Sequence, residues 1–404
     1  MKVVIAGSGF SGSMVARGLG QKAGVEAVIV NSDNFLLFTP MLAEAAVGDV
    51  DPRHIIAPIR QLASRAELVQ GVIESVDAPT RSLVVNRLFG EATETIAGDA
   101  LVLALGSVTN TYGVSGADEH ALPFKTIVDA LRIRNRILAR MEAEGTLSVA
   151  VVGAGFSGAE LTAALADFLD EVHRRFYPAR PAPRVTLVDA VDRVTPALTS
   201  ALSDSAARAL QNRDVRLVLG SAVTEVSPKG IRLENDEFVE AGTVIWAAGI
   251  KPHPLLARSG LETDRGKIPV DAHFRTAIDG VYAVGDAALS PRGDGGFSPP
   301  TAQFALRQGR YLGKNLDVIQ TGREVPPFSY STKGELVSLG HRNAVGRVLG
   351  IPVSGLIGWF LWRSYYLLQL PTTLRKARVA LDWTLDVFFP PDIAWLPSSD
   401  LGPL

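Results

Sequence analysis

Val3-Val4-Ile5-Ala6-Gly7-Ser8-Gly9-Phe10-Ser11-Gly12 opens the chain, and Val149-Ala150-Val151-Val152-Gly153-Ala154-Gly155-Phe156-Ser157-Gly158 repeats its pattern 146 positions later (153 − 7). In each, an apolar run suited to a buried strand meets glycines spaced G-x-G-x-x-G and then a helix-like run. The first glycine makes the tight turn, the second lets backbone approach a pyrophosphate, and the third lets helix pack on strand. The helix N-terminus then turns its unpaired N–H groups and positive dipole end toward the phosphates. One such motif is a weak signal. Two in the same strand–turn–helix context predict two dinucleotide-binding units.

Composition agrees. A chain of 404 residues exceeds one ordinary core, so two or three domains are expected. With 47% hydrophobic and 20% charged residues it is globular, and a net charge of −2 gives no reason to expect nucleic acid. The absence of cysteine removes disulfides, thiolate metal sites and every redox-active thiol. That excludes disulfide and sulfide:quinone reductases. Met1-Lys2 runs at once into strand and Gly7, so no signal or transit peptide and a cytosolic, prokaryote-like start are expected. No apolar run of the roughly 18 residues of a spanning helix occurs.

The first βαβ unit ends its second strand, Ala27 to Val30, at Asn31, where an acidic residue ordinarily holds the adenine ribose hydroxyls. A carboxamide holds them more weakly. Phe35 to Leu42 is too apolar for an exposed loop. Alternating segments near Glu67–Val76 and Arg81–Val85 read as strands, Leu101 to Gly106 as a buried strand. The second unit has its helix from about Ser157 and its next strand at Val185 to Val188, ending at Asp189. Gly153 to Asp189 spans 36 positions (189 − 153) rather than about 20. A helix extension and the Pro178–Pro183 loop account for the excess. Thr243 to Gly249 resembles Leu101 to Gly106, and both read as crossovers between domains. Gly280 to Asp286 is a short buried strand ending in Gly-Asp. The six histidines, His54, His120, His173, His253, His273 and His341, lack ligand spacing and read as surface or packing residues, so no metal is expected.

With these motifs the chain resembles the two-dinucleotide-binding-domain flavoprotein reductases, and within them the type II NADH:quinone oxidoreductases. The resemblance covers nearly the whole chain. It rests on both fingerprints, Leu36 to Leu42, Val244 to Gly249, Val281 to Asp286, Thr301-Ala302-Gln303 and Leu381-Asp382-Trp383. It implies an α/β fold with two Rossmann-like domains, FAD on the first fingerprint and NADH on the second, plus a C-terminal helical membrane-association region. The implied boundaries are 1–112 and 245–325 for the FAD domain, 113–244 for the inserted NADH domain, and 326–404 for the C-terminal region. Cofactor contacts are implied at Gly7, Gly9, Phe10, Ser11, Gly12, Asn31, Thr39, Pro40, Gly106, Gly153, Gly155, Phe156, Ser157, Gly158, Glu160, Asp189, Ala248, Gly249, Gly285, Asp286, Ala302 and Gln303. Asp286 would serve the ribityl or phosphate region of FAD, held tightly but non-covalently.

Asp189 would accept from the adenosine ribose hydroxyls and repel a 2′-phosphate, favouring NADH, with Arg193 close enough in sequence to weaken that choice. Glu160 reads either as a group approaching the nicotinamide or as a first-turn carboxylate favouring the helix dipole. The family's quinone signature places glutamines in an Ala-Gln-x-Ala-x-Gln stretch; here Gln303 carries over, Arg307 stands at the second place and Gln308 follows. Glu160, Gln303 and Arg307 are the catalytic candidates. Gln303 is expected at the flavin end of a tunnel toward the C-terminal helices. Arg307, one turn on, would share its helix face and meet charge developing on a quinone oxygen, or else be a solvated or ion-paired helix residue with no substrate contact.

Leu356 to Leu370, 15 residues, spans roughly 22 Å as helix and falls short of a ~30 Å hydrocarbon layer. Arg375, Lys376 and Arg378, then Trp383, Val387, Phe388 and Phe389, put basic charge beside aromatic and aliphatic groups. That suits a helix lying in a membrane interface at the cytoplasmic face; the alternative is packing on the protein's own core or across the homodimer the resemblance implies. Three functions compete. They are a peripheral NADH:quinone oxidoreductase, a soluble NAD(P)H-dependent reductase of a small redox protein, and a non-catalytic NADH-sensing flavoprotein.

Overall fold

The apolar stretches Val3 to Ala6 and Ala27 to Val30, within the strands Lys2–Ala6 and Glu26–Asn31, lie side by side because they can bury both faces. The computed structural model describes residues 1–90, 93–143, 147–332 and 334–395. The chain divides into two units: Met1–Leu37, Ile56–Val108 and Ile250–Thr332 in the first, Phe38–Ile55, Thr109–Gly249 and Lys333–Leu404 in the second. Both expected crossover strands, Ala100–Leu103 and Thr243–Trp246, stand a few residues before the chain passes from one unit to the other. The last nine residues of the expected C-terminal region lie outside the described residues.

In the first unit a seven-stranded sheet runs in the order Val281–Ala283, Ala100–Leu103, Lys2–Ala6, Glu26–Asn31, Glu67–Asp77, Ser82–Arg87, Thr93–Ala97. The first five are parallel and the last two pair antiparallel. Alternation along Lys2–Ala6 splits the core. Val3 and Ile5 pack with Val15, Leu19, Leu312 and Leu316 on one face, Val4 and Ala6 with Val28, Leu101 and Leu103 on the other. Removing a side chain such as Ile5, wholly buried, costs about 2–5 kcal/mol. The helices Phe10–Leu19 and Ala302–Gln320 touch so closely that a Cβ on Gly309 would strike the backbone of Ser11.

The second unit has a parallel five-stranded sheet, Ala121–Pro123, Thr243–Trp246, Ser148–Val152, Arg184–Asp189, Arg216–Leu219, over a core that includes Ala150, Val152, Ile231 and Trp246. The helix Phe156–Phe176 reaches 21 residues and the following strand starts at Arg184, which explains the long spacing to Asp189. An antiparallel sheet, Gly334–Ser338, Ala344–Val348 and Ile351–Ser354, leads into the helices Gly355–Gln369 and Thr373–Leu385. Among the described residues no helix is long and apolar enough to cross a membrane.

Candidate functional site

The two glycine turns are built alike. Gly7 takes φ +100° and Gly153 φ +110°, conformations that L side chains rarely adopt. Gly7 N–H donates to Val30 O at 2.8 Å and Gly153 N–H to Val188 O at 2.7 Å, so each turn is pinned to the neighbouring strand. A Cβ on Gly7 would come within 2.5 Å of Ala104 O, and one on Gly153 within 2.6 Å of Ala248 N. At Gly12 and Gly158 a Cβ would collide with the carbonyl oxygen of Gly7 and Gly153 respectively. At Gly9 and Gly155, which open the helices, it would meet nothing within 4 Å. Backbone is crowded behind each turn and open in front, and that opening faces the unpaired N–H groups of a helix start. Each cradle therefore fits a pyrophosphate.

Around the first cradle the carboxyl ends of the parallel strands bring together Gly285 and Asp286, Gly106 and Ser107, Gly7, and Asn31, the edge where open α/β sheets hold ligands. Asn31 Oδ1 accepts from Ser8 N–H at 3.2 Å and its Nδ2 donates to Asp33 O at 3.0 Å. Ser107 Oγ donates to Asp286 Oδ2 at 2.6 Å, and Asp286 Oδ1 keeps its acceptor capacity with no partner among the described residues. A Cβ on Gly285, at φ +70°, would meet Ser11 Oγ at 2.6 Å, so the Gly-Asp turn lies against the fingerprint helix. These groups could hold a flavin dinucleotide through its phosphates and hydroxyls. Around the second cradle Asp189 Oδ2 accepts from Ala154 N–H at 2.5 Å and Oδ1 from Val191 N–H at 2.8 Å. Asp189 thus stands at the glycine turn, as its sequence position requires.

The helix Ala302–Gln320 starts beside the Gly-Asp turn, with Thr301 Oγ1 capping Phe304 N–H. Buried Gln308 accepts from Gly285 N–H at 2.8 Å, so the displaced second glutamine ties the turn to the helix. Gln303 Oε1 accepts from Tyr330 Oη at 3.0 Å. Arg307 does share the face of Gln303, but folds back: its Nη1 donates to Gln303 O at 3.1 Å and its guanidinium lies 4.1 Å from the Tyr330 ring centre.

In the second unit Glu160 is the fifth residue of its helix, not a first-turn group. Its Oε1 accepts from Ser338 N–H at 3.1 Å and Trp362 Nε1–H at 3.3 Å. Burial pushes its carboxyl up to about 8. Glu44 stands near it in the short apolar helix Leu42–Val47; burial raises it to about 8 against the pull of Arg363, whose Nη2 lies 3.9 Å from Oε1. Burial and Asp386 together push Asp49 to about 7. A cavity of about 20 Å³, room for a single water, is bounded by Glu44, Asp49, Glu160, His341, Trp362 and Arg363. Pro40, on the turn Thr39–Met41, also borders it. His341, exposed as its sequence context suggested, stands beside two carboxylates. Its Nε2 lies 3.9 Å from Asp49 and 3.8 Å from Asp386, and His54 Nδ1 lies 2.6 Å from Asp382.

Known proteins place this architecture. The family described as pyridine nucleotide-disulphide oxidoreductase matches residues 1–309, both cradles included. The chain belongs to that family. This member lacks the cysteines behind the family's name, so its chemistry runs without a redox-active thiol. It is similar to a probable NADH dehydrogenase of Dictyostelium discoideum, 29% identical over 413 residues that cover 97% of this chain and 91% of the relative. A type II NADH:quinone oxidoreductase of Staphylococcus aureus is 27% identical over 373 residues, covering 88% and 91%. The structure of NDH2 from Plasmodium falciparum in complex with NADH matches with a TM-score of 0.90 at 20% identity, over 97% of this chain and 99% of that one.

Of the residues expected at cofactors, Gly7, Gly9, Phe10, Ser11, Gly12, Asn31, Gly106, Gly285, Asp286, Ala302 and Gln303 all belong to the first unit of this family member. Thr39, Pro40, Gly153, Gly155, Phe156, Ser157, Gly158, Glu160, Asp189, Ala248 and Gly249 belong to the second. Sequence reasoning missed Glu44, Arg363 and Tyr330. The first two carried a readable signal: each is a lone charge in an apolar helix, in Leu42-Ala43-Glu44-Ala45-Ala46-Val47 and within Leu356–Leu370. Tyr330 carried none.

Proposed function

We propose that this chain is an FAD-dependent NADH:quinone oxidoreductase, with FAD on the Gly7 cradle and NADH on the Gly153 cradle. The observation that carries it is the pair of equivalent cradles, each open in front and closed behind, in a chain with no cysteine. The names of the curated relatives and the NADH-bound fold neighbour support the same reading. FAD held on the first cradle would supply the two-electron chemistry that links the nicotinamide to the acceptor. The protein's part is to hold and orient. The first-cradle amides and Asp286 Oδ1 meet phosphate and hydroxyls, Asp189 accepts from the adenosine ribose and disfavours a 2′-phosphate, and Gln303 donates to a quinone carbonyl. Glu160, neutral at neutral pH because it is buried, can hold a proton near the nicotinamide side. Arg307, on the same helix face as Gln303, would meet charge developing on that acceptor. Residues 1–112 and 245–325 serve FAD, 113–244 NADH, and 326–404 the membrane.

Exposed apolar rows support membrane association. Ile357, Phe360 and Leu368 on Gly355–Gln369, and Leu374, Leu381 and Leu385 on Thr373–Leu385, face outward, while Trp362, Val379 and Trp383 are buried. Val387, Phe388 and Phe389 extend the exposed apolar surface, and exposed Arg378 borders it. A patch of this kind suits a protein lying in an interface, with cations on anionic headgroups. The homodimer and the cytoplasmic face rest on the family resemblance. Steady-state NADH oxidation by the purified protein, with a short-chain quinone against a ferredoxin, tests the reading. Turnover with quinone is expected; turnover with ferredoxin alone, or with neither, overturns it.

A further inference from the structure

Among the groups near the first cradle, the one whose orientation matters most is the Gln303 carboxamide. Its oxygen and nitrogen are nearly the same size, yet they do opposite things to a quinone. A quinone carbonyl oxygen only accepts, so the amide must offer it Nε2–H and keep its own oxygen turned away. Within the first unit one side chain takes that oxygen: Tyr330 Oη, at 3.0 Å from Oε1. The amide nitrogen has no hydrogen-bond partner among the described residues and is left for a ligand.

A phenol can accept as readily as donate, so a lone tyrosine would not fix the amide. Here the Arg307 guanidinium sits over the ring at 4.1 Å and Phe304 meets its edge with centres 4.9 Å apart. A cation over the face draws electron density from the ring and makes the hydroxyl the better donor and the poorer acceptor. Arg307 is itself anchored to Gln303 O. Arginine at the place where the family signature has glutamine thus closes a loop of three residues, Gln303, Arg307 and Tyr330.

We propose that Tyr330 is a positioning residue for the electron acceptor: held by Arg307, its hydroxyl fixes the Gln303 amide with Nε2–H directed at a quinone carbonyl oxygen. This rests on the quinone reductase reading above, and its test separates the two. Tyr330→Phe keeps the ring, the cation contact and the edge contact and removes only the donor. With the holoenzyme, kcat/KM for a short-chain quinone falls about tenfold, as expected for a lost oriented hydrogen bond to a reacting group. Flavin reduction by NADH and turnover with ferricyanide, which has no carbonyl to orient, stay at wild-type values. Calorimetry with a redox-inert quinone analogue shows the same loss in affinity, free of turnover. In a Gln303→Ala background Tyr330→Phe adds nothing, because the amide it orients is gone. If wild-type protein turns over quinone and Tyr330→Phe matches it, or if the two substitutions add independently, the positioning role is overturned alone. If wild-type protein does not reduce quinones, both readings fall.

Discussion

The two fingerprint helices start from the same backbone and then diverge in sequence, most sharply where Met14 in the first answers to Glu160 in the second. Their glycine turns agree in φ within ten degrees, in the hydrogen bond to the neighbouring strand, and in which Cβ atoms they exclude. The equivalent of Glu160 in the first helix is Met14 (160 − 146), buried at 5% exposure, as the core of a packed helix would demand. A carboxylate at that place is therefore not needed to build the unit. It costs desolvation, which its raised pKa records, and the fold accommodates it only with Ser338 N–H and Trp362 Nε1–H as donors. A carboxylate there fits the proposed proton-holding role and not a packing one. The strand ends differ too: Asn31 offers one amide oxygen and one amide nitrogen, each engaged, whereas Asp189 offers two acceptor oxygens, each taking a backbone N–H.

Breaking one cradle at a time should separate the two sites with the largest effects. Gly158→Val forces a side chain into Gly153 O, so flavin still copurifies but its reduction by NADH drops by more than about a hundredfold. Gly12→Val should instead yield protein without flavin. Flavin loss from the Gly158 variant alone would reverse the assignment of the two cradles.

Making the second strand end like the first is the next step down. Asp189→Asn replaces one acceptor oxygen with a donor and should raise KM for NADH about tenfold, with kcat little changed and the gap to NADPH narrowed. A wild-type preference for NADPH would remove Asp189 from the ribose.

The carboxylate break has a pH signature. Glu160 has a folded pKa of about 8, above its ordinary 4.5, so the neutral form is the one that folding favours. Its contribution is fully present below about pH 4.5 and is lost as pH rises toward and through 8; Glu44 acts in the same direction. Glu160→Gln keeps an acceptor for Ser338 and Trp362. Its Tm should exceed the wild-type value by a few degrees near pH 9, with the gap closing near pH 5. A gap that widens on acidification would mean that Glu160 is ionised in the folded protein. The smallest effect is expected from Asn31→Asp, a several-fold tighter hold on FAD measured by the flavin released on dilution.

The cradles were legible because everything they need is local: an apolar run, glycines where a Cβ would strike backbone, and a helix start. Asp189 was legible despite its distance from Gly153, since the strand pattern of Val185 to Val188 marks where it must fall. The surroundings of Glu160 were not, because Ser338 lies 178 positions away and Trp362 lies 202. Only the fold brings them together. Arg307 was legible as a departure from a pattern, but its stacking partner sits after Pro326-Pro327-Phe328-Ser329 with no periodicity to mark it. His341 is a surface residue as its sequence suggested, but its carboxylate neighbours come from segments hundreds of residues before it and dozens after.

An anaerobic absorption experiment on the purified protein tests most directly whether the two cradles work in sequence. Substoichiometric NADH should bleach the visible flavin bands, and a short-chain quinone added afterwards, still without oxygen, should restore them in full. Bands that NADH leaves unchanged, or that bleach and do not return with quinone, would contradict it.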